Sequence, residues 1–369
     1  MEDRSKKGVD SSIISTVLVL GVFLLLSLQY FRITPEDSHQ NQVLINQSSN
    51  DIEYVPTDTK PISVDPTLPP NQSPASITTA TKTTGRLDFS DIDTNARQTL
   101  VNILCTSNKL RSITGSGVII DDRGVILTNA HIGQYLLLQN TLGKGVVDCV
   151  VRLGNPAKAL YRAELLYLSP NWVRNNYKTI VETDPFGTGE DDFALLYITH
   201  PIDSRITLPE YFPTIAIDTS DSIIKPGEQV LVLGYPAGLL GNIGNNQNIY
   251  IATSVVNVGR AFTFKEDTFD LFSISGTLVS QKGSSGGGVV NQVNGKLSGL
   301  IVTTSEEKSV NDRELRAITL SHIDRSMKSQ EGLGIGEFLQ GELANKNRWF
   351  YQNRADELSR LLVGMLDKK

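Results

Sequence analysis

From Gly115 onward the chain runs as short apolar stretches, rich in β-branched residues and cut by turn signals. "SGVIID" is followed by "DRG" and then "VILTNA". Further on come "GVVDCVVRL", "RAELLYL", "FALLYI", "QVLVLG", "IYIATSVVNVG", "FDLFSIS", "GVVNQ", "LSGLIVTT" and "RAITLS". Roughly a dozen strands at this spacing predict an all-β barrel or sandwich. Long helices do not alternate with these runs, which argues against a parallel α/β sheet. Upstream, "FSDIDTNARQTLVNILC" (Phe89 to Cys105) offers Ser90 and Asp91 as caps and predicts one short helix. At the other end, "DELSRLLVGMLDKK" sets Leu358, Leu361, Leu362, Met365 and Leu366 on one helical face. A helix packing back on the barrel fits that face, and a partner-binding helix is the other reading.

Before this region lie two segments of different texture. "SSIISTVLVLGVFLLLSLQYF", Ser11 to Phe31, is uncharged and long enough to cross a bilayer as a helix. A cleaved signal peptide would end in small residues, whereas this run ends in Gln29, Tyr30, Phe31 and Arg32. Tyr30 and Phe31 suit an interfacial belt. Arg4, Lys6 and Lys7 precede the run, so the N-terminus is expected in the cytoplasm and the rest outside it. From Ile33 to Thr84 the chain is rich in Ser, Thr, Asn, Gln, Pro and Asp, without apolar periodicity, and reads as a disordered tether. No internal repeat is visible.

The expected organisation is a cytoplasmic N-terminus (1–10), an anchor (11–31), a linker (32–87), a first barrel (88–205), a second barrel (206–330) and a helical extension (331–369). The net charge is −6 over 369 residues, with no Lys/Arg-rich block, so nucleic acid is not an expected partner. Two cysteines and four histidines show no zinc-type spacing and there is no phosphate-binding Gly-x-x-x-x-Gly-Lys, so no metal and no cofactor are expected. The sequence sets no oligomeric state.

"KGSSGGGVV", Lys282 to Val290, poses the chemical question. A Ser/Gly-rich stretch is ordinarily a turn. A serine becomes a nucleophile only with a base, and the base needs an orienting carboxylate. "LTNAHIGQ" offers His131 at the end of a strand, and "GEDDFALLYI" offers Asp192 at the start of one. His, Asp, Ser is one of the chain orders in which such triads occur. About sixty residues separate the first two and about ninety the last two, a spacing that suits two barrels.

Here the chain resembles the trypsin-like serine peptidase family, in particular bacterial members of the HtrA/Deg type, over about Leu100 to Ile323. "GSGVIIDDRGVILTNAH", "DFALL", "GEQVLVLGYPAGL" and "KGSSGGGVV…LSGLIV" carry the resemblance. It implies two Greek-key six-stranded barrels, with His131, Asp192 and Ser285 as the catalytic residues and Asp192 and Ser285 preferred over their neighbours Asp191 and Ser284. It implies an oxyanion hole from the backbone N–H groups of Gly283 and Ser285. It puts the floor of the specificity pocket near Val279 and a wall along Ile301, Val302, Thr303 and Thr304. No Asp or Glu occurs between Leu271 and Ser285, so small or medium apolar side chains are expected there rather than Lys or Arg.

The chain departs from the family at Ser284, where Asn or Asp is usual, and at Gly288, where Pro is usual. The segment after Asp324 is too short and too helical for the PDZ domain that many HtrA-type members carry. The resulting expectation is a membrane-anchored serine endopeptidase acting on proteins or peptides outside the cytoplasm of a bacterial cell. Its rival is a catalytically silent binding or sensor module on the same fold.

By period-two alternation Cys105 shares a strand face with Val101 and Ile103, and Cys149 shares one with Val147 and Val151. In a Greek key the fourth strand returns beside the first, so these two could form a disulfide or stay as buried thiols. His39 falls in the tether, His200 reads as a loop residue before Pro201, and His322 ends a strand near a small helix.

Overall fold

The structure is a computed structural model. It describes residues 87–368 apart from 183–186, 222–223, 238–247, 265–267 and 305–313. The expected anchor and nearly all of the expected tether lie outside the described residues. No described helix is long and apolar enough to cross a membrane.

Helix α1 (Phe89–Thr99) opens the described chain. Its cap is Asp88, whose side chain accepts from Ser90 N–H, and not Ser90 or Asp91. The helix stops at Thr99 and does not run on to Cys105. From Leu100 the β-branched Val101 and Ile103 lie in a strand paired on both sides, which an isolated helix pattern cannot reveal.

The first six strands are β1 (Leu100–Ser107), β2 (Ile113–Asp121), β3 (Val125–Thr128), β4 (Val147–Leu153), β5 (Lys158–Leu168) and β6 (Ala194–Pro201). They close into an antiparallel barrel in the order β1-β2-β3-β6-β5-β4. The next six are β7 (Gln229–Gly234), β8 (Ala252–Phe262), β9 (Leu271–Ser275), β10 (Gly288–Asn291), β11 (Leu297–Thr304) and β12 (Glu314–Thr319). They close in the order β7-β8-β9-β12-β11-β10, the same connectivity. In the first barrel, the fourth strand does return beside the first. Cys105 and Cys149 are register partners on β1 and β4 and are joined by a disulfide.

Strand alternation explains how the barrels meet. On β1, Val101, Ile103 and Cys105 face the first barrel's own core, with Ile119, Val151 and Leu196. Leu100, on the other face, joins Val118, Leu231, Leu233 and Leu300 in a cluster shared by both barrels. The second barrel encloses its own core around Val232, Phe272, Ile274 and Ile301. Because both faces of β1 are covered, its burial pattern is nearly continuous.

Helices fill the rest. They are α2 (Ala130–Leu142), α3 (Pro170–Asn176), α4 (Leu320–Glu331), α5 (Ile335–Phe338), α6 (Leu343–Asn353) and α7 (Ala355–Leu366). Phe350, Leu358 and Leu362 from α6 and α7 pack into the first barrel's core cluster, with Leu361, Met365 and Leu366 against its edge. The apolar face read in the sequence is thus spent on the barrel.

Candidate catalytic site

His131 does not end a strand. β3 delivers the chain to Asn129, which caps α2, and His131 lies in that helix's first turn. Asn129 Nδ2 donates to the Asp192 carbonyl at 2.9 Å, fixing the chain just before β6. The Asp192 side chain is buried and reaches His131 twice. One oxygen accepts from His131 N–H at 2.9 Å, and the other faces Nδ1 at 2.8 Å. A carboxylate only accepts, so Nδ1 carries a proton and Nε2 is left as the basic nitrogen. Neighbouring Asp191 has a left-handed backbone (φ 57°) and turns away, accepting from Ser326 Oγ at 2.5 Å.

The two serines of the loop differ in access. Ser284 is fully buried, and its hydroxyl has no hydrogen-bond partner among the described residues. Ser285 is half-buried. Its hydroxyl and His131 Nε2 are not hydrogen-bonded to each other.

What holds the loop is β2. Ser116 N–H donates to the Ser285 carbonyl at 2.7 Å, and Ser116 Oγ donates to the Gly283 carbonyl at 2.8 Å. The same Oγ accepts from Tyr235 N–H at 2.9 Å, and the Ser116 carbonyl accepts from Thr128 Oγ1 at 2.7 Å. The contact is so close that a Cβ on Gly286 would lie 2.0 Å from the Ser116 oxygen, and Gly286 also has φ 83°.

The amides of this loop divide into two sets. Ser284 N–H donates to Gln281, Gly286 N–H to Ile301 and Gly287 N–H to Ser284. Gly283 and Ser285 N–H have no acceptor among the described residues. The Lys282 carbonyl accepts from Ala237 N–H at 2.7 Å. In a trans peptide the C=O and N–H point in opposite directions, so this bond turns Gly283 N–H away from Ala237. The amides of Gly283 and Ser285, two residues apart, are thus the ones of this loop left without an acceptor among the described residues.

Of the expected pocket residues, Val279 and Ile301 are fully buried in the second barrel's core. Val302 is buried with the cluster between barrels. The side chains of Thr303 and Thr304 lie outside the described ones. His200 is not a loop residue, since it pairs with Arg162 near the end of β6. His322 belongs to α4 and is buried. Its Nδ1 lies 3.2 Å from Asp270 and its Nε2 3.8 Å from Asp191. Burial pushes the His322 pKa down in spite of both carboxylates. Burial alone would raise that of Asp270. Hydrogen bonds from Thr268, Phe264 N–H and Arg325 outweigh it and hold the carboxyl well below the usual range. His39 lies outside the described residues. No group of three His, Cys, Asp or Glu among the described residues could hold a metal ion.

The sequence family described as the trypsin-like peptidase domain matches residues 115–300. No curated protein matches the chain. Among solved structures the chain is similar to the Rv3671c protease from M. tuberculosis in its active form. That match has 17% identity, covers 68% of this chain and 89% of that one, and has a TM-score of 0.40. It is also similar to the serine endoprotease from Yersinia pestis, with 19% identity, coverage of 68% and 69%, and a TM-score of 0.42. A third is Deg5, with 16% identity, coverage of 64% and 90%, and a TM-score of 0.41.

Proposed function

The chain belongs to the trypsin-like peptidase family and is a serine endopeptidase, and from that premise we propose that His131, Asp192 and Ser285 are its catalytic triad. The observation that carries the assignment is the double bond pattern from one buried carboxylate to His131, which fixes the ring and leaves Nε2 basic. In this mechanism Ser285 Oγ attacks the scissile carbonyl while His131 Nε2 takes its proton. Asp192 stabilises the imidazolium that results. The amides of Gly283 and Ser285 receive the developing oxyanion, and the His131 proton then passes to the leaving amine. Water repeats the cycle to release the acyl group. This mechanism requires a Ser285–His131 hydrogen bond that the resting structure does not make, and catalytic hydrogen bonds commonly tighten only with substrate bound.

Fluorophosphonate labelling and peptide hydrolysis test this. Ser285→Ala is expected to abolish labelling and cut kcat by about 10⁶-fold, with His131→Ala close behind. Ser284→Ala removes a buried hydroxyl with no hydrogen-bond partner among the described residues and is expected to retain most activity. Equal losses at Ser284 and Ser285 would undo the assignment. The absence of Asp and Glu between Leu271 and Ser285 supports cleavage after small or medium apolar residues, although Val279, Ile301 and Val302 are themselves buried. Dominant cleavage after Arg or Lys in a peptide library would overturn that preference.

The uncharged run from Ser11 to Phe31 supports an uncleaved membrane anchor, with the peptidase outside the cytoplasm. Protease added to intact spheroplasts is expected to release the domain, and a protected domain would mean the reverse orientation.

A further inference from the structure

Asp192 precedes β6 and is placed by a turn. Its N–H donates to the Gly189 carbonyl at 3.2 Å, and Phe193 N–H donates to the Asp191 carbonyl at 2.8 Å, a γ-turn centred on Asp192. To make this turn the backbone takes a positive φ twice in three residues, 86° at Gly189 and 57° at Asp191. Glycine enters that region freely, whereas a Cβ disfavours it. Asp191 is the one non-glycine residue with a positive φ among the described residues. Such a conformation persists where the surroundings hold it.

What holds Asp191 comes from the other half of the chain. Its carboxylate accepts from Ser326 Oγ on α4 at 2.5 Å, while His322 Nε2 lies at 3.8 Å, beyond hydrogen-bond reach. Ser326 Oγ in turn accepts from Gln330 Nε2, one helical turn on, at 2.7 Å. Gln330 fixes the direction of these bonds. Its Oε1 accepts from Asn171 N–H and from Ser169 Oγ, both at 3.2 Å. Its amide nitrogen is therefore the end at Ser326, and the single hydroxyl proton of Ser326 is left for Asp191. Ser169 N–H donates to the Phe193 carbonyl at 3.4 Å. The residues on either side of Asp192 are thus held by one run of contacts, from Asp191 through Ser326, Gln330 and Ser169 to Phe193.

We propose that Asp191 is a positioning residue, whose hydrogen bond to Ser326 on α4 holds the turn that aims the Asp192 carboxylate at His131. The proposal rests on the reading of His131, Asp192 and Ser285 as the triad. The left-handed backbone at Asp191 sends two consecutive carboxylates to different partners, Asp192 to His131 and Asp191 to α4. A carboxylate that stabilises the imidazolium acts on the transition state and not on substrate binding. Loosening its turn therefore falls on kcat and spares KM.

Steady-state peptide hydrolysis by the full-length chain in detergent tests it, with active sites counted from the end point of fluorophosphonate labelling. Asp191→Gly keeps the positive φ without strain and removes the bond to Ser326. Its kcat per labelled site is expected to fall about tenfold with KM within about twofold, since a displaced catalytic group is felt on that scale. Asp191→Asn still accepts through its amide oxygen and tolerates the left-handed region, so its kcat is expected within about threefold of the unmodified chain's. Ser326→Ala leaves the turn's own residues intact and is expected to match Asp191→Gly, which keeps the test decisive if the glycine variant fails to fold. Unchanged kcat in Ser326→Ala or in Asp191→Gly overturns the proposal. A loss in Asp191→Asn equal to that in Asp191→Gly overturns it too, because the charge and not the hydrogen bond would then matter. So does a loss confined to KM. An unmodified chain that takes no label marks failure of the triad reading instead.

Discussion

Ser116 is a buried serine on β2 whose three polar groups are all spent near the nucleophile loop. Its N–H and Oγ bind the carbonyls of Ser285 and Gly283, the two residues whose amides have no acceptor among the described residues and are proposed to receive the oxyanion. A carbonyl fixed on one side of each residue restricts how far its backbone can rotate, so under the proposed mechanism Ser116 is expected to act as a positioning residue. Ser116→Ala leaves the Gly283 carbonyl and Tyr235 N–H without their partner. A stability loss of about 1–3 kcal/mol is expected from that alone. Loss of a whole oxyanion donor costs about 10² to 10³ in kcat, so loosening one is expected to cost roughly tenfold. The effect should fall on kcat with KM nearly unchanged. Urea unfolding and steady-state kinetics on one preparation separate the two effects. Lost stability with unchanged kcat would make Ser116 a packing residue only. Sequence reading passed over Ser116, because a serine between two glycines on a strand carries no signal until the strand is placed against the loop.

At the scale of elements, the strands were legible and the helices between them were not. Runs such as "QVLVLG" and "FALLYI" are apolar, β-branched and bounded by turn residues, so local pattern and tertiary pairing agree. Helix α2 carries Ile132, Tyr135, Leu136, Leu137 and Leu138, buried on all sides rather than along one stripe. A helix that is apolar all round shows no 3.6-residue period, so His131 read as the end of a strand. Its proposed triad role did not hinge on that, because the motif order and the residues "TNAH" do not depend on the element that carries them. The chain near Cys105 shows the opposite case. A helical start signal was real, but pairing with β2 and β4 took over at Leu100. The shared strand order of the two barrels left no trace as a sequence repeat, since connectivity constrains hydrogen bonding and not side-chain identity.

At the scale of the whole molecule, the two halves share a buried polar cluster as well as an apolar one. His322 on α4 faces Asp270, at the entry to β9 in the second half, and Asp191, in the connection that delivers Asp192 in the first. Arg325 from the same helix donates to Asp270 at 2.7 Å, and the ring of Phe264 lies 5.0 Å from His322. The pH dependence of stability follows from the directions of the two shifts. Burial depresses the His322 pKa, so near and below about pH 6.5 the unfolded chain binds a proton that the folded chain resists. Its contribution is complete above the unfolded value and is lost as pH falls toward the folded one. Asp270 is also depressed, so its contribution is complete above about pH 4 and is lost at lower pH. Both terms act in the same sense, and acid loosens the cluster in two stages, histidine first. In the first stage the slope is at most about 1.4 kcal/mol per pH unit, the value for one proton. Urea unfolding at pH 7.5, 6.5, 5.5 and 4.5 is expected to show stability falling from near pH 6.5. His322→Gln keeps a polar group of similar reach without a titrating nitrogen, so its curve is expected to be flatter between pH 6.5 and 4.5. Parallel curves for the two proteins would show that His322 does not set the acid limit of this fold.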